Sequence, residues 1–399
     1  MISAIIGACF SLFTHRRWRG RAYLISPAVD FLMVGGLALL LVPLLLFAVP
    51  PGLANGEAIL PYSVFLGALV VNHIFFINYP HFAASYQLMY RNFSSKFRGE
   101  NLPLHLHWRY VFAGVVFPIL YIAYVAYAFA AQKLVLLGYL VNFMFLTVGW
   151  HYCKQAFGSL MVLSALKGIY YAPWQRRLFL GNANLVWMVT WFGSNIAVYE
   201  NQFWGLPYHS IALQAVLPAW FGNVDVLYWH LRGTLFWVAL LLAAVVLVKA
   251  WHDKVWPSLT AWVGYVTMYG FVLLVYDVHP FWLFIIPAFH SLQYLLFVVA
   301  YKRNECEALA RREGASAAVA SKKRIYFFLA LAVLIGAVQF EWGPLLADRL
   351  VADAYSFALP TLFLAIGQLF FNIHHYFIDN VIWRKDNPGV MATLLAKPA

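Results

Sequence analysis

The sequence predicts an all-α protein, a polytopic helical bundle that crosses a membrane about ten times with both termini cytoplasmic. Three observations carry this reading. Of the 399 residues, 63% are hydrophobic and 11% charged, whereas a soluble domain runs at about 45–50% and about 25%. The apolar residues gather into stretches near the ~20 residues that cross a bilayer. The basic residues then fall on one side of those stretches.

Ten stretches read as spans: Tyr23–Phe47, Leu60–Tyr79, Tyr110–Ala130, Leu134–Ser164, Leu178–Val198, Leu231–Lys249, Leu259–Tyr276, Phe281–Ala300, Ile325–Glu341 and Tyr355–Ile382. The fourth and tenth are long enough to tilt, protrude or break. With the N-terminus inside, the inner loops hold 23 of the 27 Lys and Arg residues, from Arg16 through Arg109, Lys167 and Lys254 to Lys385 and Lys397. Lys133, Arg232 and Arg349 remain outside, and Lys154 falls within a helix. The net charge of +12 therefore reads as the positive-inside bias and not as a nucleic-acid surface. No repeat or linker divides the chain, so a single domain is expected. It has an interfacial segment at 1–22, a cytoplasmic loop at 302–324 and a cytoplasmic tail at 383–399. The largest outer loop is Tyr199–His230. Three separated cysteines, Cys9, Cys153 and Cys306, give neither a disulfide framework nor a thiolate metal site.

Ionisable groups inside a bilayer are costly and usually serve a function. Asp30 lies in the first span; Asn72, His73, Asn78 and His81 in or at the end of the second; His151, Lys154 and Gln155 in the fourth; His290 and Gln293 in the eighth. The tenth carries Gln368, Asn372, His374, His375 and Asp379. Five helices thus place polar groups at overlapping depth. On the tenth, Gln368, Asn372, His375 and Asp379 follow steps of four, three and four and form one stripe, with His374 about 100° away. His73 and His81, eight apart, share a side of a regular helix. Pro80 removes a backbone hydrogen bond there and is expected to break the helix and re-aim His81.

Neutral imidazole suits iron, zinc and copper, and Asp adds a hard oxygen. The expected ligands are His73, His81, His151, His290, His374, His375 and Asp379. Iron, one or two ions, is the first choice, with zinc or copper as the other candidates. Gln155, Gln293 and Asn372 are placed to orient the imidazoles. Lys154, paired with Asp30 or Asp379, is expected to donate a proton or to bind an anionic head group. His105 and His107 read as solvated surface. All seven Glu residues lie in loops or at helix ends, so the Glu-x-x-His pattern of bundle di-iron proteins is absent.

Membrane fatty-acyl desaturases and hydroxylases are similar in being rich in histidine near the cytoplasmic face. Of their histidine boxes only His374-His375 matches a fragment, so the likeness is one of chemistry and not of family. G-x-S-x-G, H-E-x-x-H and the P-loop are all missing. The expectation is a membrane oxidoreductase with a histidine-rich non-haem metal centre. Its substrate would be lipid-soluble: a fatty acyl chain, isoprenoid, carotenoid or quinone-like ring. The bilayer and an electron-donor protein on the cytoplasmic side are its expected partners, without nucleic acid. The alternatives are a proton- or metal-coupled transporter and a metal-free acyl- or glycosyl-transferase.

Overall fold

A computed structural model of the chain describes residues 23–48, 71–195, 202–203, 206–207, 224–273, 282–313, 317–351 and 361–396. Apart from one pair of two-residue strands, β1 (Gln202–Phe203) and β2 (Leu206–Pro207), the regular structure among them is helical. In chain order the helices are α1 (Pro27–Phe31), α2 (Leu37–Ala48), α3 (Tyr79–Tyr90), α4 (Phe93–Phe97), α5 (Leu104–Val111), α6 (Phe117–Ala130), α7 (Leu134–Leu166) and α8 (Pro173–Ser194). They continue as α9 (Val224–His252), α10 (Leu259–Leu273), α11 (Trp282–Glu313), α12 (Ala317–Ala337), α13 (Gly343–Val351), α14 (Leu362–Ile382) and α15 (Pro388–Leu394). Four π turns interrupt otherwise continuous helices, at Leu32–Gly36, Ile74–Asn78, Phe112–Val116 and Val338–Trp342.

Six helical runs among the described residues are long and apolar enough to cross a membrane: Pro27–Leu44, Leu104–Ala130, Leu134–Leu166, Val226–His252, Ile285–Arg312 and Lys322–Val351. Three further expected spans are realised as helices outside that set. α8 begins with Gln175, Arg176 and Arg177, α10 has 15 residues, and α14 carries the polar stripe. The second expected span, Leu60–Tyr79, lies mostly outside the described residues, as do the segment 1–22 and most of the outer loop Tyr199–His230. The inner loop expected at 302–324 is largely helix, since α11 runs on to Glu313 and α12 begins at Ala317. In the tail, α15 docks on α11, where Asn304 Nδ2 donates to the Thr393 and Leu394 carbonyls, both at 3.0 Å.

Burial sorts the spans into two classes. In an apolar 18-residue stretch of Ile285–Arg312, 78% of the residues are buried, against 17% in that of Val226–His252. α11 is therefore a central helix, and α9 turns Trp237, Leu241, Val248 and Trp251 outward. In a soluble protein such an apolar face would seek a partner; on a span it meets lipid. Around α11 pack α3, α10, α12, α15 and the first π turn, while α7 lies between α8, α10 and α14.

Two glycines let this packing close. Gly35, inside the first π turn, has φ of +151°, and a Cβ there would stand 2.4 Å from Thr267 Cγ2 on α10. Gly336 on α12 lies against the start of α3, where a Cβ would come within 2.8 Å of the Tyr79 carbonyl carbon. Backbone cannot rotate out of the way as a side chain can. Gly336→Ala is therefore expected to lower stability by about 1–3 kcal/mol, seen as a lower thermal midpoint in detergent. Gly158→Ala, on α7 with nothing within 4 Å of the new methyl, is expected to leave the midpoint unchanged or raise it.

Candidate metal centre

Four buried imidazoles, from four helices, meet at one point. They belong to His81 on α3, His151 on α7, His290 on α11 and His375 on α14, and one potential ligand atom from each lies within 4.8 Å of all the others. Each is delivered by a different local device.

His81 is aimed by the break that precedes it. Pro80 has no amide hydrogen and its ring crowds the preceding turn, and that turn is the π turn Ile74–Asn78. His81 Nδ1 lies 3.1 Å from the Asn78 carbonyl oxygen. A carbonyl only accepts, so the proton sits on Nδ1 and Nε2 turns its lone pair inward. Ser291 holds the same arrangement: its Oγ is 3.0 Å from Nδ1 and donates to Asn78 Oδ1 at 3.0 Å.

His375 and Asp379 stand one turn apart on α14, with His375 Nε2 3.2 Å from Asp379 Oδ2. His81 Nε2 approaches the same nitrogen to 2.8 Å, so a single proton or a cation must lie between the two rings. His151 Nε2 lies 3.6 Å from Asp379 Oδ2. His290 is held face to face on Tyr152, with ring centroids 3.8 Å apart. The other oxygen of Asp379 is fully engaged, accepting from Ser85 Oγ and from the Tyr294 hydroxyl, both at 3.0 Å. Trp383 Nε1 donates in turn to the Tyr294 oxygen at 3.0 Å.

The donor set can be tested for fit to a metal ion. His151 Nε2, His290 Nε2 and Asp379 Oδ2 are buried and make no hydrogen bond among the described residues, although His375 Nε2 and His151 Nε2 stand within ion-pair distance of Asp379 Oδ2. Each such orphan costs about 1–3 kcal/mol, and three of them on neighbouring residues of one cluster are difficult to explain as packing. One cation satisfies all three. Opposite nitrogens at the usual bond length are ~4.2 Å apart, so the observed spread of up to 4.8 Å closes with sub-ångström adjustment of the rings. The residues fit a histidine-rich metal site.

The other expected site residues lie elsewhere. His374 points away from the cluster: Tyr86 donates to its Nδ1 and its Nε2 donates to the Ala113 carbonyl, both at 2.7 Å. With both nitrogens engaged it ties α14 to α3 and to the third π turn. His73 is buried but is not among the four: eight residues before His81, it stands about 12 Å away along the helix axis. Asp30 ties down the segment that enters its own helix, accepting from the amides of Leu24, Ile25 and Ser26 at 2.6, 2.9 and 3.3 Å. Its neighbouring ammonium is Lys167 and not Lys154, whose Nζ donates to Asn380 Oδ1 at 2.8 Å. Asn372 donates to the Gln368 carbonyl on its own helix. Gln155 and Gln293 do brace the site. Gln155 donates to the His290 carbonyl at 3.0 Å and to Gln293 Oε1 at 2.9 Å, and Gln293 donates to Val34 O in the first π turn at 2.9 Å. His105 and His107 are at the surface, on Asp386 and the Phe97 carbonyl. Arg384 first, and His105 second, hold the Asp386 carboxyl below the usual carboxylate range.

Ser85, Tyr294 and Ser291 were not singled out from the sequence. A signal for the first two was present. Every cluster histidine is followed four residues later by a hydrogen-bonding side chain: His81–Ser85, His151–Gln155, His290–Tyr294 and His375–Asp379. That spacing stacks the two groups on one helix face, so each helix brings an imidazole together with a support.

Comparison with protein-family models, with characterised proteins and with solved structures found no match for this chain.

Removing a group that orients a ligand typically costs 10–100-fold in metal affinity. Tyr294→Phe, which leaves Asp379 with one donor fewer, is expected to weaken metal binding by about tenfold or more, read by chelator competition. His374→Gln is expected to leave metal affinity unchanged in the same assay.

Proposed function

We propose that this chain is a multi-pass membrane oxidoreductase whose four-histidine site, completed by Asp379, holds iron and acts on a lipid-soluble substrate. The observation that carries the reading is the convergence of four buried imidazoles within 4.8 Å, beside Asp379 and with His151 Nε2, His290 Nε2 and Asp379 Oδ2 making no hydrogen bond among the described residues. Four imidazoles and a carboxylate exceed the four ligands of a closed zinc site, and a mixed nitrogen and oxygen set suits iron. Iron held there would supply one-electron redox chemistry with dioxygen, which itself partitions into lipid.

The protein's own residues have three tasks. His81, His151, His290, His375 and Asp379 hold the ion. Ser85, Ser291 and Tyr294 fix the tautomer and orientation of those groups. Phe82, whose ring centroid is 4.6 Å from that of His375, continues through Phe340 at 4.7 Å and Phe371 at 5.1 Å as an apolar wall. That wall keeps water from the site and offers a surface to a hydrocarbon chain or ring. Lys154, with Arg384 and Arg109 near enough to act on its charge, suits an anionic head group better than a proton-donating role. An electron-donor protein at the inner face would supply reducing equivalents.

A transporter would use the same imidazoles, and the π turn beside His81 is the kind of helix interruption that carriers place at their sites. Elemental analysis of the detergent-purified protein separates the two. The expected result is one or two irons per chain that survive extensive dialysis and are lost in the His290→Ala, His375→Ala double variant. A folded protein with no stoichiometric metal would overturn the oxidoreductase reading, and a freely exchanging ion would favour transport.

A further inference from the structure

We propose that Tyr294, Trp383 and Tyr301 form a relay carrying single electrons between the four-histidine site and the protein surface at Arg91. The proposal rests on the redox reading above and adds a route to it. The Tyr294 ring centroid lies 5.0 Å from that of His81 and 5.6 Å from that of His375. Trp383 follows at 5.7 Å and donates its indole hydrogen to the Tyr294 oxygen. Tyr301, two turns beyond Tyr294 on α11, is 6.3 Å from Trp383. Arg91 donates to the Tyr301 oxygen at 3.3 Å, pairs with Glu305 at 2.6 Å and has a side chain 46% exposed. The line therefore runs from a buried centre to a charged group in reach of a soluble partner.

Two features set this line apart from ordinary aromatic packing. Its members are Tyr and Trp, whose rings give up an electron far more readily than Phe, whereas the wall through Phe82, Phe340 and Phe371 offers no such step. Each tyrosine also has a carboxylate placed to take its phenolic proton. Tyr294 donates to Asp379 Oδ1 at 3.0 Å and Tyr301 to Glu305 Oε1 at 3.3 Å.

The step balances with one external reductant, a soluble one-electron donor of the iron–sulfur or flavin class. Tyr294 passes an electron to the oxidised site and its proton to Asp379. Trp383 then passes an electron to Tyr294, which recovers its proton from Asp379. Tyr301 reduces the Trp383 radical cation while giving its proton to Glu305. The donor at Arg91 reduces Tyr301, and Glu305 returns the proton. One electron has moved from donor to site, and no covalent bond between heavy atoms has formed or broken.

The test compares wild type with Trp383→Phe and Tyr301→Phe, each analysed for metal content. The second change keeps the ring and removes only the hydroxyl, so it serves if the first fails to fold. Protein reduced beforehand is mixed with excess dioxygen without an external reductant, freeze-quenched and examined by electron paramagnetic resonance. Reduction of the oxidised site by dithionite is followed by stopped flow. The wild type is expected to give an aromatic radical that sharpens on ring deuteration of tyrosine. The variants are expected to keep their ion, to alter that signal and to slow site reduction by at least about tenfold. Retained metal with an unchanged signal and unchanged reduction rate would overturn the relay alone. A wild type without a redox ion would overturn the relay together with the proposed function.

Discussion

The meeting of four imidazoles and one carboxyl group in a buried interior is the constraint on which the rest of this structure depends. Lone pairs that face one another in a buried, low-dielectric interior repel. A cation relieves that repulsion, and the surrounding network prepares for one. Asn78 and Ser291 hold the proton of His81 on the far nitrogen. Ser85 and Tyr294 occupy one oxygen of Asp379 and leave the other turned to the rings. The metal would then bind donors already oriented, so little ordering entropy remains to be lost.

Several departures from regular helix serve this arrangement. π turns concentrate at functional sites, and three of the four here touch the network. The turn at Ile74–Asn78 aims His81, the one at Leu32–Gly36 offers the Val34 carbonyl to Gln293, and the one at Phe112–Val116 offers the Ala113 carbonyl to His374. In an apolar surround, a carbonyl freed from its helix needs a donor. Side-chain amides and imidazoles meet that need while bracing the site. Gly336 and Gly35 allow the helices to approach closely enough for these bonds to form. The same economy explains the polarity of α14: its stripe costs it the hydropathy of a free-standing span, and it lies mostly covered by neighbouring helices.

Much of the site was legible in the sequence because ionisable residues are rare in apolar helices. His81, His151, His290, His375 and Asp379 stood out on that ground alone, and the break at Pro80 followed from the missing amide hydrogen. The supports were harder to read. Ser and Tyr are unremarkable in apolar helices, and only their recurrence four residues after each histidine distinguishes Ser85 and Tyr294. Asp30 lies apart from the histidine cluster, bound to backbone amides: a carboxylate at a helix start satisfies such amides as readily as it serves chemistry.

The sequence by itself determined the class of protein, the helical character and which polar residues share a helix face, since these depend on composition and on the 3.6-residue period. Tertiary structure decided which faces meet. The choice between His374 and His375 turned on whether α3, with Tyr86 and His81, approached one side of α14 or the other. The partner of Lys154 proved to be Asn380, on a helix more than two hundred positions away in sequence. Contacts of that range depend on the packing of the whole bundle, and no local periodicity encodes them.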